Sequence, residues 1–520
     1  MIVSSYWPSQ QPYPEYPLPE LLRQTVQTFA EKPALISAEG EVRTYRRVWS
    51  DAKKVARLLQ DKGVEKGDKV AIFSPNHVDY AAVFYGSLLA GATVTTLNPL
   101  YTAHEVQTQL ADAEAVAIFV YSPMAAAVQE AKKDLPLLRE VFPIDQLADV
   151  LGGVSEDYRP VQINPREDVA ALPYSSGTTG MPKGVMLTHY NITSNVAQGL
   201  VTRFVSSDMV GLWTLPLFHI YGMTVLMSSG IARGGTGIVM MRFDAEQMLH
   251  LIEKHRITDI YLAPPAILAM VNVPDATSRF DTSSLQVIGS GAAPLPLEIG
   301  ERAKAMFKCV VSQGYGMTET SPTTNTNPLD RVKLETVGPP FPDTFEKIVS
   351  LDTGEELPPT EVGELLVKGP QVMKGYWKNP KETAECLTED GWLRTGDIGR
   401  FDEENYLCLI ERKKEMIKYK GYQVAPAEIE ALMHQHPAVL DVAVIPKPDA
   451  AGGEIPKACV VLRPGVECAP EQLMAFVAER VAPYKKIREV EFFQEIPKTA
   501  SGKILRRDLI QREREKAQPR

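Results

Sequence analysis

Apolar positions run along this chain in two rhythms. A short solid run at 70–73 and a β-rich run at 93–97 flank a stretch, 78–90, where apolar residues recur every three or four positions. The first rhythm marks buried strands; the second marks helices that turn one face to a core. Ser74-Pro75-Asn76 breaks the first run and Gly91 stops the helix, as turn-forming residues do. The pattern therefore predicts a βαβ unit over 70–97. The same order returns later, with a helix over 245–255, a strand at 260–262, and buried-strand candidates at 285–288 and 310–312. Strands separated by helices predict an α/β fold of parallel-rich sheets with flanking helices.

The texture changes past about residue 335. Short apolar runs at 345–350, 364–367 and 406–410 sit among Gly, Pro and Asp turns, which predicts a small β-rich subdomain over about 335–413. Glu411-Arg412-Lys413-Lys414 then forms a charged bridge. Beyond it, helices at 427–435 and 471–480 and strands at 440–445, 458–462 and 489–493 predict a small α+β domain. The expected division is a large domain over 1–413 and a small one over 414–520. No repeat of solenoid type is visible.

Composition narrows the classes. With 520 residues, 44% of them hydrophobic, there is apolar material for about three folding units without a structural metal or disulfides. A formal charge of −10 argues against a general nucleic-acid binder, though not against a local basic pocket for an anionic substrate. The five cysteines are odd in number and contain no CxxC. This favours a reducing compartment, and the expected location is cytoplasmic. The Pro-, Ser- and Tyr-rich start lacks the basic and apolar segments of a signal peptide. No apolar stretch approaches the ~18 residues of a membrane span. The charged segment 506–520 reads as a solvated tail.

Candidate chemistry is concentrated in a few loops. Tyr174-Ser175-Ser176-Gly177-Thr178-Thr179-Gly180-Met181-Pro182-Lys183-Gly184 gathers three glycines, four Ser/Thr hydroxyls and one lysine. Glycines let backbone N–H groups approach an anion, hydroxyls add donors, and lysine adds a point charge. That is the chemistry of a polyphosphate clamp, although it is not a Walker A loop, because Gly184 follows Lys183. A flexible Gly/Ser/Thr linker has a similar composition. In Gln313-Gly314-Tyr315-Gly316-Met317-Thr318-Glu319-Thr320, Tyr315 offers a flat face for a purine and Thr318 a phosphate donor. Glu319 could hold Mg2+, but this segment alone favours the plainer reading of a carboxylate completing a helix start. Asp397 in Thr395-Gly396-Asp397 reads as a turn residue after a strand, able to accept both ribose hydroxyls or merely to close an Asx-turn. Lys413, Lys414, Lys418 and Lys420 form a charge run, either a hinge that meets phosphates or a solvated face. Lys503, in Pro497-Lys498-Thr499-Ala500-Ser501-Gly502-Lys503, sits at a turn tip, from which it can swing into a site or stay on the surface. His219 lies in an aromatic stretch without metal-ligand spacing, where a packed histidine competes with a catalytic one. No GxSxG elbow supports a hydrolase.

In this order and across the whole chain, these segments resemble the acyl-adenylate-forming superfamily of acyl-CoA synthetases, peptide-synthetase adenylation domains and beetle luciferases. The run from Ile417 through Lys418, Tyr419, Lys420, Gly421, Tyr422, Gln423, Val424 and Ala425 to Pro426 is similar to the 4-coumarate:CoA ligase and luciferase branch. The resemblance implies an ATP-dependent acid–thiol ligase that uses Mg2+ and coenzyme A. It implies that Ser175, Ser176, Gly177, Thr178, Thr179 and Lys183 cradle the ATP phosphates. Gly291, Ala292, Ala293, Pro294, Gln313, Gly314, Tyr315 and Thr318 would surround AMP. Glu319, with Thr178, would hold the metal. Asp397 and Arg412 would hold the ribose, and Lys503 would reach the carboxylate and α-phosphate. His219 would stand beside the reacting carboxylate. Lys414 would be the hinge about which a mobile small domain rotates. Lys418 would meet the acyl-adenylate, and Lys420, Gly421 and Arg242 coenzyme A. Glu411 stands where the hinge usually has Asp, which keeps the charge.

By position, Tyr221, Val225, Ala292, Gly316, Pro322 and Thr323 would line the acyl pocket, where small side chains at 292 and 316 leave room for a long or flat acid. No acidic residue near His219 offers to hold a substrate amine, which favours an apolar acyl group, either a medium or long fatty chain or a coumarate-like aryl acid. Two other readings stay open: an enzyme that loads a carrier-protein thiol, and a nucleotide-binding sensor without catalysis. Oligomeric state is not legible.

Overall fold

The computed structural model describes residues 2–175, 183–202, 207–412, 415–419, 422–449, 453–481, 483–499 and 502–517. Two large sheets form the body. The first runs, in spatial order, through Thr323–Thr326, Val310–Gly316, Val287–Ser290, Asp259–Leu262, Val210–Trp213, Thr236–Val239, Pro33–Ser37 and Val42–Thr44. Its six inner strands are parallel, and the two edge strands pair antiparallel. The second carries Gly375–Tyr376, Lys183–Thr188, Val169–Ala171, Thr93–Thr96, Lys69–Phe73, Ala115–Val120 and Glu140–Pro143, with Tyr174–Ser175 paired to Lys183–Thr188. The α/β fold read from the sequence is the fold observed.

The predicted βαβ unit is Lys69–Phe73, Tyr80–Leu89 and Thr93–Thr96. Its helix is buried almost all round, as expected of a helix packed inside a large protein. The helix Ala245–His255 starts where Asp244 accepts the Gln247 N–H at 2.7 Å, an N-cap that satisfies a donor the helix cannot.

The β-rich part is a four-stranded antiparallel sheet of Phe345–Val349, Gly363–Lys368, Leu393–Phe401 and Leu407–Arg412. A separate five-stranded sheet follows, built on the long hairpin of Val439–Asp449 and Gly453–Leu462. The helices Pro426–Met433 and Pro470–Ala478 pack on it around Ile429, Val442, Val460 and Val477.

Three expectations change. Val310–Gly316 extends past residue 312, so Gln313, Gly314 and Tyr315 lie on the strand itself. Its last residues pair with Thr323–Thr326, a contact no local pattern encodes. Thr395, Gly396 and Asp397 likewise lie within Leu393–Phe401, not in a turn after a strand. The supposed tail contains the helix Arg506–Ala517. Some of its charges are paired inward: Glu513 meets the buried Lys457 at 2.6 Å, and Arg506 meets Glu415 and Glu430, both at 2.6 Å. Buried charges need such partners.

Candidate active site

An antiparallel pairing sets Ser175 opposite Lys183. On the other side of Lys183–Thr188, Tyr376 pairs with Val185. Sheet geometry thus brings three side chains from distant segments together. The Lys183 ammonium pairs with the carboxylate of Glu382 and lies 5.3 Å from the ring centroid of Tyr376, within cation–π range. The Tyr376 hydroxyl donates to Glu319 Oε1 at 2.8 Å, and Ser175 Oγ donates to the same oxygen at 3.2 Å. Burial, and then the Glu319 charge, push the Tyr376 phenol well above its ordinary range. Tyr376 therefore stays a donor.

Glu319 is 6% exposed. Both of these hydrogen bonds fall on one of its oxygens. Among the described residues, no three His, Cys, Asp or Glu side chains cluster to enclose a metal. Magnesium usually takes one or two carboxylates and completes its shell with phosphates and water. A single buried carboxylate beside a lysine fits an ion that arrives with a nucleotide.

The second part of the site is built on the end of Val310–Gly316. Tyr315 donates its hydroxyl to Asp397 Oδ2, which joins the large sheet to the β-rich subdomain. Thr395 Oγ1 accepts the Asp397 N–H at 3.0 Å. Gln313 is spent on backbone: its Oε1 accepts the Leu295 N–H at 3.2 Å, and its amide donates to the Leu334 carbonyl. It thereby fixes the loop carrying Gly291, Ala292, Ala293 and Pro294. Ala292 holds φ +70°, a left-handed conformation costly for a residue with a Cβ.

A cleft of about 700 Å3, open at its mouth, runs beneath these residues. Tyr221, Gly291, Ala292, Gln313, Gly314, Tyr315, Gly316, Pro322 and Thr323 line it, together with Tyr261, Ser290, Ser312 and Thr202. Gly316 has a backbone reason to be glycine: a Cβ there would stand 2.1 Å from the Pro322 carbonyl oxygen. Val225 is 4% exposed in the main core and does not line the cleft. Arg242 is exposed just beyond Thr236–Val239.

His219 separates this cleft from a smaller chamber of about 290 Å3, and lines both. Thr96, Asn98, Tyr101, Tyr174 and Thr318 also face the chamber. The ring is oriented by its own chain, with Nδ1 accepting the Tyr221 N–H at 3.2 Å. Burial, and then the charge of Lys503, lower its pKa to about 4, so the imidazole is neutral at pH 7. Tyr221 opens the π-helix Tyr221–Ser228, a rare element that recurs at functional sites.

Lys503 comes from the other domain. Its turn is closed by the Lys498–Ile504 bridge, and its N–H donates to Thr499 Oγ1 at 3.1 Å. Lys498 anchors the turn to Asp441 at 2.6 Å. Gly502 holds φ +82°, and a Cβ there would stand 3.1 Å from Ala263 Cβ and 3.2 Å from Pro265. Small-domain turn and large-domain wall therefore touch where Lys503 meets the field of His219.

Ser176, Gly177, Thr178, Thr179, Lys413, Lys414, Lys420 and Gly421 lie outside the described residues. Arg412 is described by its backbone pairing with Asp397, and Lys418 by its place in Ile417–Tyr419. Sequence reasoning missed Tyr376 and Glu382. The only local signal was Asn379-Pro380, an N-cap and first-turn proline that start the helix Pro380–Cys386.

A two-part α/β body with a buried carboxylate, a lysine beside it on the sheet and a second-domain lysine fits the class of nucleotide-activating enzymes. Comparison gives the particular family. The AMP-binding enzyme family matches residues 22–377, and the AMP-binding enzyme C-terminal domain matches 428–503. The long-chain-fatty-acid–CoA ligase of Bacillus subtilis is 37% identical, covering 98% of this chain and 96% of the relative. The 4-coumarate–CoA ligase of Pinus taeda is 39% identical over 95% of both. Among solved structures, the anthranilate CoA ligase in complex with anthranoyl-AMP matches with TM-score 0.91 and 27% identity, over 97% of this chain and 98% of that one. The chain belongs to the AMP-binding enzyme family. No helix among the described residues is long and apolar enough to cross a membrane.

Proposed function

We propose that the acid this enzyme activates is apolar: a medium- or long-chain fatty acid or a flat aryl acid of the coumarate type. The reaction is that of its family, an ATP-dependent acid–thiol ligation. The carboxylate attacks the α-phosphorus, pyrophosphate leaves, and an acyl-AMP forms. The coenzyme A thiol then attacks the acyl carbonyl, and AMP leaves. The cleft walls of Tyr221, Tyr261, Val287 and Pro322 suit an apolar acyl group. The relatives, ligases of long-chain fatty acids and of 4-coumarate, bracket the same two classes.

In this reading Lys183 and Ser175 receive the phosphates, Tyr315 and Asp397 the nucleoside, and Lys503 the α-phosphate and carboxylate. Mg2+, held by Glu319, would supply charge neutralisation at the phosphates. A neutral His219 leaves Lys503 as the cation at the reacting carboxylate, where fixed charge lowers the barrier. The observation that carries the reading is the seating of the Lys503 turn on the large domain, Gly502 against Ala263 and Pro265, from which its charge is felt by the buried His219 that lines both cleft and chamber. Lys418, Lys420, Gly421 and Arg242 belong to the coenzyme A step, reached by rotation of the small domain about Lys414. Five free cysteines are consistent with a cytoplasmic setting.

The test is a pyrophosphate-release screen over fatty and aromatic acids, with and without coenzyme A. Release should depend on an apolar acid, and thioester should form only with coenzyme A. Release that is indifferent to the acid, or strongest with amino acids, would overturn the proposal.

A further inference from the structure

We propose that Glu382 is an internal counter-ion for Lys183, which holds the ammonium while no phosphate is bound and competes with pyrophosphate for it after the first half-reaction. The inference rests on the reading of Lys183 as a phosphate ligand, and it adds a residue that reading did not contain.

The geometry is specific. Lys183 ends a strand whose neighbour carries Tyr376, and its ammonium meets Glu382 rather than Glu319. Glu319 is occupied by the Tyr376 and Ser175 hydroxyls. The backbone of Glu382 is fixed independently of its carboxylate. It lies in the first turn of Pro380–Cys386, and its N–H donates to Asn379 Oδ1 at 3.2 Å. Only the side chain must move for the pair to part. The Glu382 oxygen that meets Lys183 is buried, but the side chain as a whole is 30% exposed and that of Lys183 20%, so solvent lies beside the pair.

The charges make the exchange directional. One ammonium is flanked by two carboxylates, one contacting it and one behind the Tyr376 hydroxyl. An incoming polyphosphate brings several negative charges and displaces the weaker partner. Once adenylate has formed, the departing pyrophosphate must give up Lys183, and Glu382 is placed to take it back. Without such a partner, a lone lysine in a partly buried cradle would retain the product. The pair is partly solvent-screened, so the effect is modest.

The experiment is isothermal titration of inorganic pyrophosphate and of ATP into the full chain, in four forms: parent, Glu382→Gln, Lys183→Met and the double variant. Glu382→Gln keeps the shape and the helix start. Pyrophosphate should bind it about three- to tenfold more tightly than parent, and ATP should follow in the same direction. The product-inhibition constant against ATP should fall to match. In the Lys183→Met background the same change should have no effect. Unchanged pyrophosphate affinity in Glu382→Gln overturns the inference, as does an equal change with and without Lys183. Loss of neither ligand in Lys183→Met would instead overturn the phosphate-site reading itself.

Discussion

Glu346 is a carboxyl group kept dry behind the nucleotide face. Asn325, which pairs with Tyr315 across the sheet, donates to its Oε2 at 3.0 Å, while Oε1 has no hydrogen-bond partner. Burial raises its pKa to about 8, so it is folded as the neutral acid at pH 7. A carboxyl whose folded pKa is raised stabilises the protein fully below its unfolded value of 4.5. That contribution is lost as pH rises through the folded value. Glu346→Gln, which cannot ionise, should therefore lose less thermal stability than parent between about pH 5.5 and pH 8.5. Melting curves at the two pH values check this. Parallel pH trends would mean that Glu346 is already ionised in the fold. Nothing in the sequence distinguished Glu346 from other strand glutamates, because it is enclosed by distant segments, among them the Val3 bridge and Asn325. Glu319 was picked out by its short motif of glycines, a tyrosine and a threonine, but its role came only from the resemblance, since the motif alone favoured a helix cap.

At the scale of elements, the turn bearing Lys503 is set by contacts on both sides. Gly502 holds a left-handed φ, and a Cβ there would crowd Ala263 and Pro265 at 3.1–3.2 Å. Gly502→Ala should displace the turn by a few tenths of an ångström and slow acid-dependent pyrophosphate release by about tenfold. Thioester formation from supplied acyl-adenylate should stay near parent. Assays of the two half-reactions check this, and a parent-like first half-reaction would show that the contact does not position Lys503. The strands and helices of the body were legible wherever period and punctuation agreed, as in Ala245–His255. Edge pairings were not. Thr323–Thr326 and Gly375–Tyr376 are too short to carry a pattern, yet one extends the strand bearing Tyr315 and the other delivers Tyr376. That second pairing is why half of the Lys183 environment went unread. The small side chain at 316 was assigned to acyl space; Gly316 does line the cleft, and the close Pro322 carbonyl is a second reason for glycine there.

At the scale of the whole molecule, the proposed site draws on two domains: the large one lines the cleft, and the small-domain turn at Gly502 meets its wall at Ala263 and Pro265. In the proposed reading, phosphate-side groups come from the second large sheet, nucleoside-side groups from the first and from the β-rich subdomain, and the last lysine from beyond the charged bridge. No sequence window can show that convergence, since the contributing residues lie hundreds of positions apart. What could be read was the set of motifs and their order. The two lysine groups of the small domain, Lys503 and Lys418–Lys420, lie on separate elements. Our account assigns them to separate half-reactions.

That assignment is tested most directly by Lys503→Ala, measured in each half-reaction separately. Loss of the charge beside His219 should slow adenylate formation, read as acid-dependent pyrophosphate release, by about a hundredfold or more. The transfer of acyl from supplied acyl-AMP to coenzyme A should remain within about twofold of parent. An equal fall in both rates would contradict the account.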